Sequence, residues 1–552
     1  MKTLLHLLLL SVTLSAVAAT GRPRTLIYRF DLHDPAHIHV ALDLIAQGTD
    51  VILLPSQWAG QDKLYNAVSN LQVSTPGASL TPTANPARWL LRSRRSAPVT
   101  LTYDLAQDWS GPLKHPLEHR ALLGPTLFEF NGENGLVVPL IASDDPVEAS
   151  FYFDDLPPGQ ALVTSFGTDP IQHFAGPWSS IRNALFTGGQ LATHTLRVEG
   201  EPVLLAMYGT WAFQPDEIAA EVGKILSVER RLWNDTHIPF YAIVVAPYED
   251  SRSGGGGSGF TNLSTLFLAD TRNFTADTAS LLAHEAFHFW NPSGLGRVED
   301  TQQIAWFGEG FSSFYQDTVL AHAGILTPAQ YLARLNNTIK DYLLSPRINM
   351  PNADLQNTAT SDHFSSEEPY LRGAMIAFWL SSEIDRQSAG RHTLTDLMLS
   401  LRAEHSQPLT ADRIFNTAGR FVSSSTIAQL RSFALDGNDV PIPAGSLGEC
   451  VAFNHRPAWT FHLGFDPTSL RKKGIVHGVE QGSNAYQAGV RDGQQLGGFS
   501  LWNGDAEREV TLTLRESDGS REKLSFLPRG DLRFIPQAQE IDGCPAGPRI
   551  PE

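Results

Sequence analysis

At 552 residues the chain is too long for a single hydrophobic core, and a rate of about one domain per 150 residues predicts roughly three or four. With 42% hydrophobic residues its composition is that of an ordinary globular protein. A net charge of −17, with 58 acidic against 41 basic residues and no long Lys/Arg run, excludes nucleic acid as a partner.

Met1 to Ala19 carries Lys2, the apolar run LLHLLLLSVTLSAV and the small residues Ala16, Ala18 and Ala19. This is the layout of a secretory signal (1–19) and predicts a secreted or periplasmic protein. The run is too short and too early for a typical spanning helix, and no other stretch is long and apolar enough to cross a bilayer. No membrane span is therefore expected after signal removal.

From Thr25 to Tyr208 short apolar runs such as TLIYRFDL, PVTLTYDL, ASFYFDDL and PVLLAMYG are broken by Gly, Pro, Asn and Asp. Such spacing predicts antiparallel strands and an N-terminal β-sandwich-like domain over 22–210. His37 and His39 would share one face of a strand, with no third ligand nearby, and read as solvated. His115 and His119 are four apart, but Pro116 between them argues against a pair inside a helix. Phe213 to Trp233 has helical spacing, IPFYAIVVAP reads as a buried strand, and a second domain is expected over 211–442. SRSGGGGSGF, from Ser251, reads as a flexible loop and TNLSTLFLAD after it as an edge strand. No Lys-Ser/Thr or dinucleotide pattern follows the glycines, so a phosphate cradle is disfavoured.

Ser280 to Pro292, SLLAHEAFHFWNP, places His284, Glu285 and His288 in the spacing His-Glu-x-x-His. On a helix, residues four apart share a face, so both imidazoles can meet one tetrahedral ion while Glu285 stands beside it. Ala279, Leu282, Ala283, Ala286 and Trp290 form the opposite, apolar side; Asp277 or Thr278 would cap the helix and Pro292 end it. Zinc needs a third protein ligand, and Glu309 in IAWFGEGFSSFYQD, a second helical stretch rich in Trp306, Phe307, Phe311 and Phe314, is the candidate. Asp317, eight residues further on, reads either as an outer partner of the site or as a solvated helix acid.

HEAFHFWN followed by WFGEGFSSFYQD resembles the gluzincin metallopeptidases, and most closely their glycyl-aminopeptidase family. EEPYLRGAMIAFWLSSEI, from Glu367, resembles the family segment in which a tyrosine three residues before a glycine donates a hydrogen bond to the tetrahedral intermediate, which points to Tyr370 and Gly373. The resemblance implies a thermolysin-like α/β, mostly helical catalytic domain and one Zn2+ per chain on His284, His288 and Glu309. It also implies Glu285 as general base and peptide or protein substrates. In related peptidases the glycine-rich segment, here Gly256, Gly257, Ser258 and Gly259, binds the peptide backbone. Related aminopeptidases carry in that segment a Gly-Gly-x-Glu-His-like pattern whose glutamate captures the substrate's α-amine. Here Ser258 and Gly259 stand about where Glu and His would fall, which puts strict aminopeptidase action in doubt. Glu249 or Asp250 would have to reach in from the preceding loop.

DGNDVPIPAG, from Asp436, reads as a linker, and the stretch over 446–540 resembles a PDZ domain. HLGF matches its carboxylate-binding loop, which implies that Leu463, Gly464 and Phe465 receive a C-terminal peptide, the other reading being a purely structural unit with an occupied or closed groove. Cys450 and Cys544, the only two cysteines, bracket this stretch and read as one disulfide, with two buried thiols as the other reading. The fold expected is thus multidomain: β-sandwich-like, then catalytic, then PDZ-like. The activity expected is that of a zinc metallopeptidase, the alternative being a catalytically silent secreted peptide-binding protein on a peptidase and PDZ scaffold.

Overall fold

A computed structural model describes residues 23–249, 255–298, 301–359, 361–443, 445–470, 474–515, 520–545 and 547–551. The expected secretory signal and Asp250 lie outside these residues.

In the first half a six-stranded sheet runs in the order Ile171–Pro177, Pro146–Asp154, Arg24–Asp31, His37–Ile45, Pro98–Ala106, Val68–Val73. Side chains alternate across a strand, so Tyr28, Phe30, Val40, Leu42, Leu101, Tyr103, Phe151 and Phe153 all turn to one buried face. Phe128, Phe130 and Phe186 come from a four-stranded sheet and meet that face, with Phe30 and Phe130 ring centres 5.5 Å apart and Phe151 and Phe186 5.1 Å apart. Cutting one such ring back to alanine costs about 3–5 kcal/mol. The expected all-antiparallel pairing does not hold: Arg24–Asp31 runs parallel to Pro146–Asp154. These strands are far apart in sequence, so no hairpin dictates their direction.

A five-stranded sheet follows, ordered Leu191–Val198, Glu201–Tyr208, Tyr241–Pro247, Leu263–Leu268, Gly255–Phe260. Its first two strands fall within the expected N-terminal β-domain, yet Glu201–Tyr208 pairs with Tyr241–Pro247 and carries Leu191–Val198 into the same sheet. Both faces are covered, which is why YAIVVAP is apolar throughout. Tyr241, Ile243 and Val245 join the core under the helices. Ala242 and Val244 pack with Val163 and Leu185 of the first half. The described part of the expected glycine loop, Gly255–Phe260, is instead the edge strand, its first four residues lying outside the described ones, and the expected edge strand, Leu263–Leu268, is interior.

Helices dominate the next stretch, including Pro215–Leu232 before the edge strand and Ala276–Phe287, Ala305–His322, Pro328–Leu344 and His363–Ser388 after it. Among the described residues no helix is long and apolar enough to cross a membrane. In the C-terminal part Val451–Phe461 pairs antiparallel with Arg529–Glu540, beside a three-stranded sheet with its own small core around Val476, Val490, Leu512 and Leu514. The Asn336 side chain docks this two-stranded ribbon on helix Pro328–Leu344, donating to the Ala538 carbonyl at 2.8 Å and accepting from its N–H at 2.7 Å. The linker is packed rather than loose, since Val440 is buried and its N–H donates to the Tyr342 hydroxyl at 2.8 Å. Cys450 and Cys544 form a disulfide, with Cα atoms 5.5 Å apart.

Candidate active site

Helix Ala276–Phe287 has its N-cap at Thr275, whose hydroxyl accepts from the Thr278 N–H at 3.2 Å, ahead of both caps expected from sequence, Asp277 and Thr278. Its back, Ala279, Leu282, Ala283 and Ala286, is buried as the helical spacing requires. The helix ends sooner than Pro292: His288 is already its C-cap, still in helical conformation, so the one-turn spacing to His284 is kept. Glu309 comes from the neighbouring helix Ala305–His322.

The three ligand atoms converge. His284 Nε2 lies 3.1 Å from His288 Nε2 and 3.3 Å from Glu309 Oε2, and His288 Nε2 lies 3.3 Å from the same oxygen. Around zinc, with bonds of about 2.0–2.1 Å, the edge of a ligand tetrahedron is about 3.3 Å, so this donor set fits the ion the family resemblance implies. Burial alone would raise the Glu309 carboxyl, but the His288 charge and hydrogen bonds from both imidazoles hold it far below the ordinary carboxylate range. Burial opposes charge on His288, and the Glu309 carboxylate overrides it, pushing the ring up to about 9.

Each imidazole is also held from behind. His284 Nδ1–H donates to Gln316 Oε1 at 3.1 Å, and His288 Nδ1–H donates to the Asn291 carbonyl at 2.8 Å. Such outer bonds set which ring nitrogen faces the metal. The buried Asn291 amide in turn donates to the Gly308 carbonyl at 3.1 Å, tying the turn after His288 to the helix of Glu309. Neither outer partner was assigned from sequence. Gln316 had a signal, standing seven residues after Glu309 and so on the same helix face. Asp317, the acid singled out instead, points to Ser280 at 3.3 Å and Arg334 at 3.4 Å, neither a ligand nor a ligand's partner.

Glu285 is buried beside the ligands, and burial raises its carboxyl above the ordinary value. Glycine makes room for it. A Cβ on Gly257 would lie 2.5 Å from Glu285 Cγ, and one on Gly259 2.7 Å from His288 Cβ, so the edge strand can lie against the ligand helix only without side chains there. Gly256 and Ser258 alternate to the other face and line the cleft. Tyr370 comes from helix His363–Ser388, its ring stacked on His284 at 5.9 Å and 37% exposed to the cleft. The charge of Glu309, then burial, hold its phenol well above the ordinary value, so it stays a proton donor. The glycine three residues on explains how it arrives: a Cβ on Gly373 would sit 1.8 Å from the Trp306 carbonyl, so the two helices cross at contact distance through Gly310 and Gly373.

These residues line one cleft of about 1840 Å³, whose wall also includes Trp58, His115, Glu118 and His119 from the first half. His115 and His119 are not paired within an α-helix, as Pro116 implied, yet the turn between them brings both to Glu118. Burial would raise the Glu118 carboxyl, but the hydrogen bond from His115 and the neighbouring imidazoles hold it below the ordinary value; burial pushes His119 down. His37 and His39 are exposed and bonded to Asp34 and Asp104, at 3.1 and 2.7 Å. Glu249 does not line the cleft. Leu463 and Phe465 are buried in the C-terminal core with Gly464, at φ 74°, turning between them, and none of the three lines the cleft.

Residues 277–376 match the family model described as M61 glycyl aminopeptidase. That interval contains His284, Glu285, His288, Glu309, Tyr370 and Gly373, so the family resemblance drawn from these motifs holds over the segment that carries them. No curated protein matches the sequence significantly. Among solved structures, the chain is similar to an aminopeptidase N family protein from Idiomarina loihiensis, with a TM-score of 0.68 and 18% identity over 92% of this chain and 98% of that one. It is also similar to a point mutant of an M1 zinc metallopeptidase from Deinococcus radiodurans bound to a Tyr-Ser-Ala substrate, with a TM-score of 0.52 and 15% identity over 76% of this chain and 95% of that one. The M1 zinc metallopeptidase from the same organism gives a TM-score of 0.51 and 14% identity over the same shares. At these identities the likeness is one of fold.

Proposed function

We propose that this protein is an extracytoplasmic zinc metallopeptidase in which His284, His288 and Glu309 hold the ion, Glu285 is the general base and Tyr370 is the oxyanion donor. The observation that carries this reading is the convergence of three ligand atoms at 3.1–3.3 Å beside Glu285 and Tyr370 in one cleft. Bound there, zinc supplies Lewis acidity for a scissile carbonyl and for water.

The chain's own residues do the rest. A peptide laid along the free edge of Gly255–Phe260 takes backbone hydrogen bonds from that strand. Glu285 takes the proton of the attacking water and passes it to the leaving amine; its raised pKa brings the carboxyl nearer neutral operating pH and so suits it to both transfers. Tyr370 keeps its proton and donates a hydrogen bond to the oxygen that gains charge, a contribution on the order of 3 kcal/mol. Ser258 stands where related aminopeptidases carry the amine-binding glutamate, so internal bonds and blocked N-termini are part of the proposed substrate range. The Cys450–Cys544 disulfide supports an oxidising compartment, as the Met1 to Ala19 segment does. The C-terminal part is proposed as a PDZ-like unit that takes a C-terminal peptide at Leu463, Gly464 and Phe465.

Purified protein incubated with a diverse peptide mixture, with and without chelator, tests the activity by the new ends it makes. Chelator-sensitive cleavage is expected, with acetylated peptides cut within about tenfold of free ones, a difference of about 1.4 kcal/mol. Peptide binding by zinc-loaded protein without any turnover would replace this reading with the silent binding protein. Activity that survives complete metal removal would end the zinc assignment.

A further inference from the structure

The first half of the chain brings a second set of metal-ligating side chains to the cleft. His115, Glu118 and His119, in the spacing His-x-x-Glu-His, offer ligand atoms that all lie within 4.8 Å of one another. His115 Nδ1 is 2.8 Å and His119 Nε2 3.6 Å from Glu118 Oε1, distances that bracket the edge of about 3.3 Å expected around a zinc-sized ion.

The glutamate is set as a ligand would be. Its side chain is only 3% exposed, and the Tyr248 hydroxyl donates to its second oxygen at 3.1 Å, fixing the carboxylate plane. Among the described residues the partners of this buried anion are two imidazoles and a phenol, with no Lys or Arg. The Trp58 ring stands edge-on to His119 at 5.3 Å and limits its rotation. His115, 63% exposed, opens the group toward water, and a Cβ on Gly256 would lie 3.7 Å from Glu118 Oε1, so the group borders the bare edge strand.

We propose that His115, Glu118 and His119 bind a second divalent ion, separate from the one at His284, His288 and Glu309. Two imidazoles and one carboxylate select zinc or cobalt over magnesium or calcium, whose ligands are oxygens. The site is the weaker of the two, because Nδ1 of His119 is buried with no hydrogen-bond partner and His115 is half in solvent. An ion here borders the strand edge and meets carbonyl or carboxylate oxygens of whatever chain lies there.

The test is zinc titration of metal-stripped protein, followed by calorimetry and elemental analysis. Wild type is expected to take two ions, the His284→Ala/His288→Ala double variant one, and Glu118→Gln and His119→Ala one each, these last keeping the tighter site. Cobalt in the double variant should give the visible absorption of an imidazole-ligated low-coordinate site, lost when Glu118→Gln is added. Circular dichroism checks each fold, and if the double variant does not fold, wild type against Glu118→Gln decides alone. A single ion in wild type at saturating zinc overturns the site, as does the same stoichiometry in wild type and Glu118→Gln. So does a Glu118→Gln protein with unchanged metal content that loses preference for free over acetylated N-termini, since that assigns the carboxylate to a substrate ammonium group.

Discussion

His284, His288 and Glu309 stand on two helices that cross at glycine contact distance, and each imidazole is braced by a hydrogen bond from behind. His115, Glu118 and His119 have the same side-chain chemistry but come from one short turn, with His115 exposed and His119 unbraced. The donor types are equal, so the contrast isolates what scaffolding adds. Ligands on rigid, packed elements hold their geometry before the ion arrives, whereas a turn must be ordered by the ion itself. Only the helix-borne set also has Glu285 and Tyr370, the proposed general base and oxyanion donor, beside it.

The sharpest way to test that contrast is Glu285→Gln, which should retain the first metal, by elemental analysis, and lose about 10²–10⁴ in kcat on a peptide substrate. Wild-type turnover would remove Glu285 as base and reduce the helix-borne site to a metal holder. Tyr370→Phe comes next, with kcat lower by about 10²–10³ and metal content unchanged. An equal loss of metal would instead make Tyr370 a support for Glu309.

A smaller effect bears on the bracing itself. Gln316→Ala should weaken zinc at the first site by about 10–100-fold in competition with a chelator, leaving the His115 group untouched. If affinity does not move, the outer hydrogen bond is not what separates the two clusters. Its neighbour supplies the control. Asp317→Asn should leave zinc affinity within about twofold and act on stability instead. Burial raises the Asp317 carboxyl from 3.8 to about 6 in the folded chain. The folded state therefore holds a proton the unfolded state has lost, so the Asp317 contribution to stability falls as pH rises from about 4 to about 6, by about 3 kcal/mol, and that part of the slope is missing in the variant. Thermal melts across that window measure the slope; a slope that persists in Asp317→Asn belongs to another group.

Most of the helix-borne site was legible before any fold. The His-Glu-x-x-His spacing and its apolar back depend only on the helical period, and Glu309, Tyr370 and Gly373 sit in segments whose likeness to known peptidases is local in sequence. The helix over Pro215–Leu232 and the strand over Tyr241–Pro247 were legible for the same reason, since one face or both faces of an element write their burial into its own residues. Long-range pairing was not. That Leu191–Val198 and Glu201–Tyr208 join the sheet of Tyr241–Pro247, that Arg24–Asp31 runs parallel to its partner and that glycines form the edge strand depend on which strands meet, which no single segment encodes.

What the amino-acid sequence determined by itself was the donor set proposed for the first centre: which side chains, in what spacing, on which helices. Only the tertiary structure decided that Gln316 rather than Asp317 braces His284, and that His115, Glu118 and His119 meet at the cleft wall. Adjacent residues on a helix point about 100° apart, so the choice between them rests on where the neighbouring helix lies. A turn has no period to place its side chains, so their meeting is settled by the packing around them.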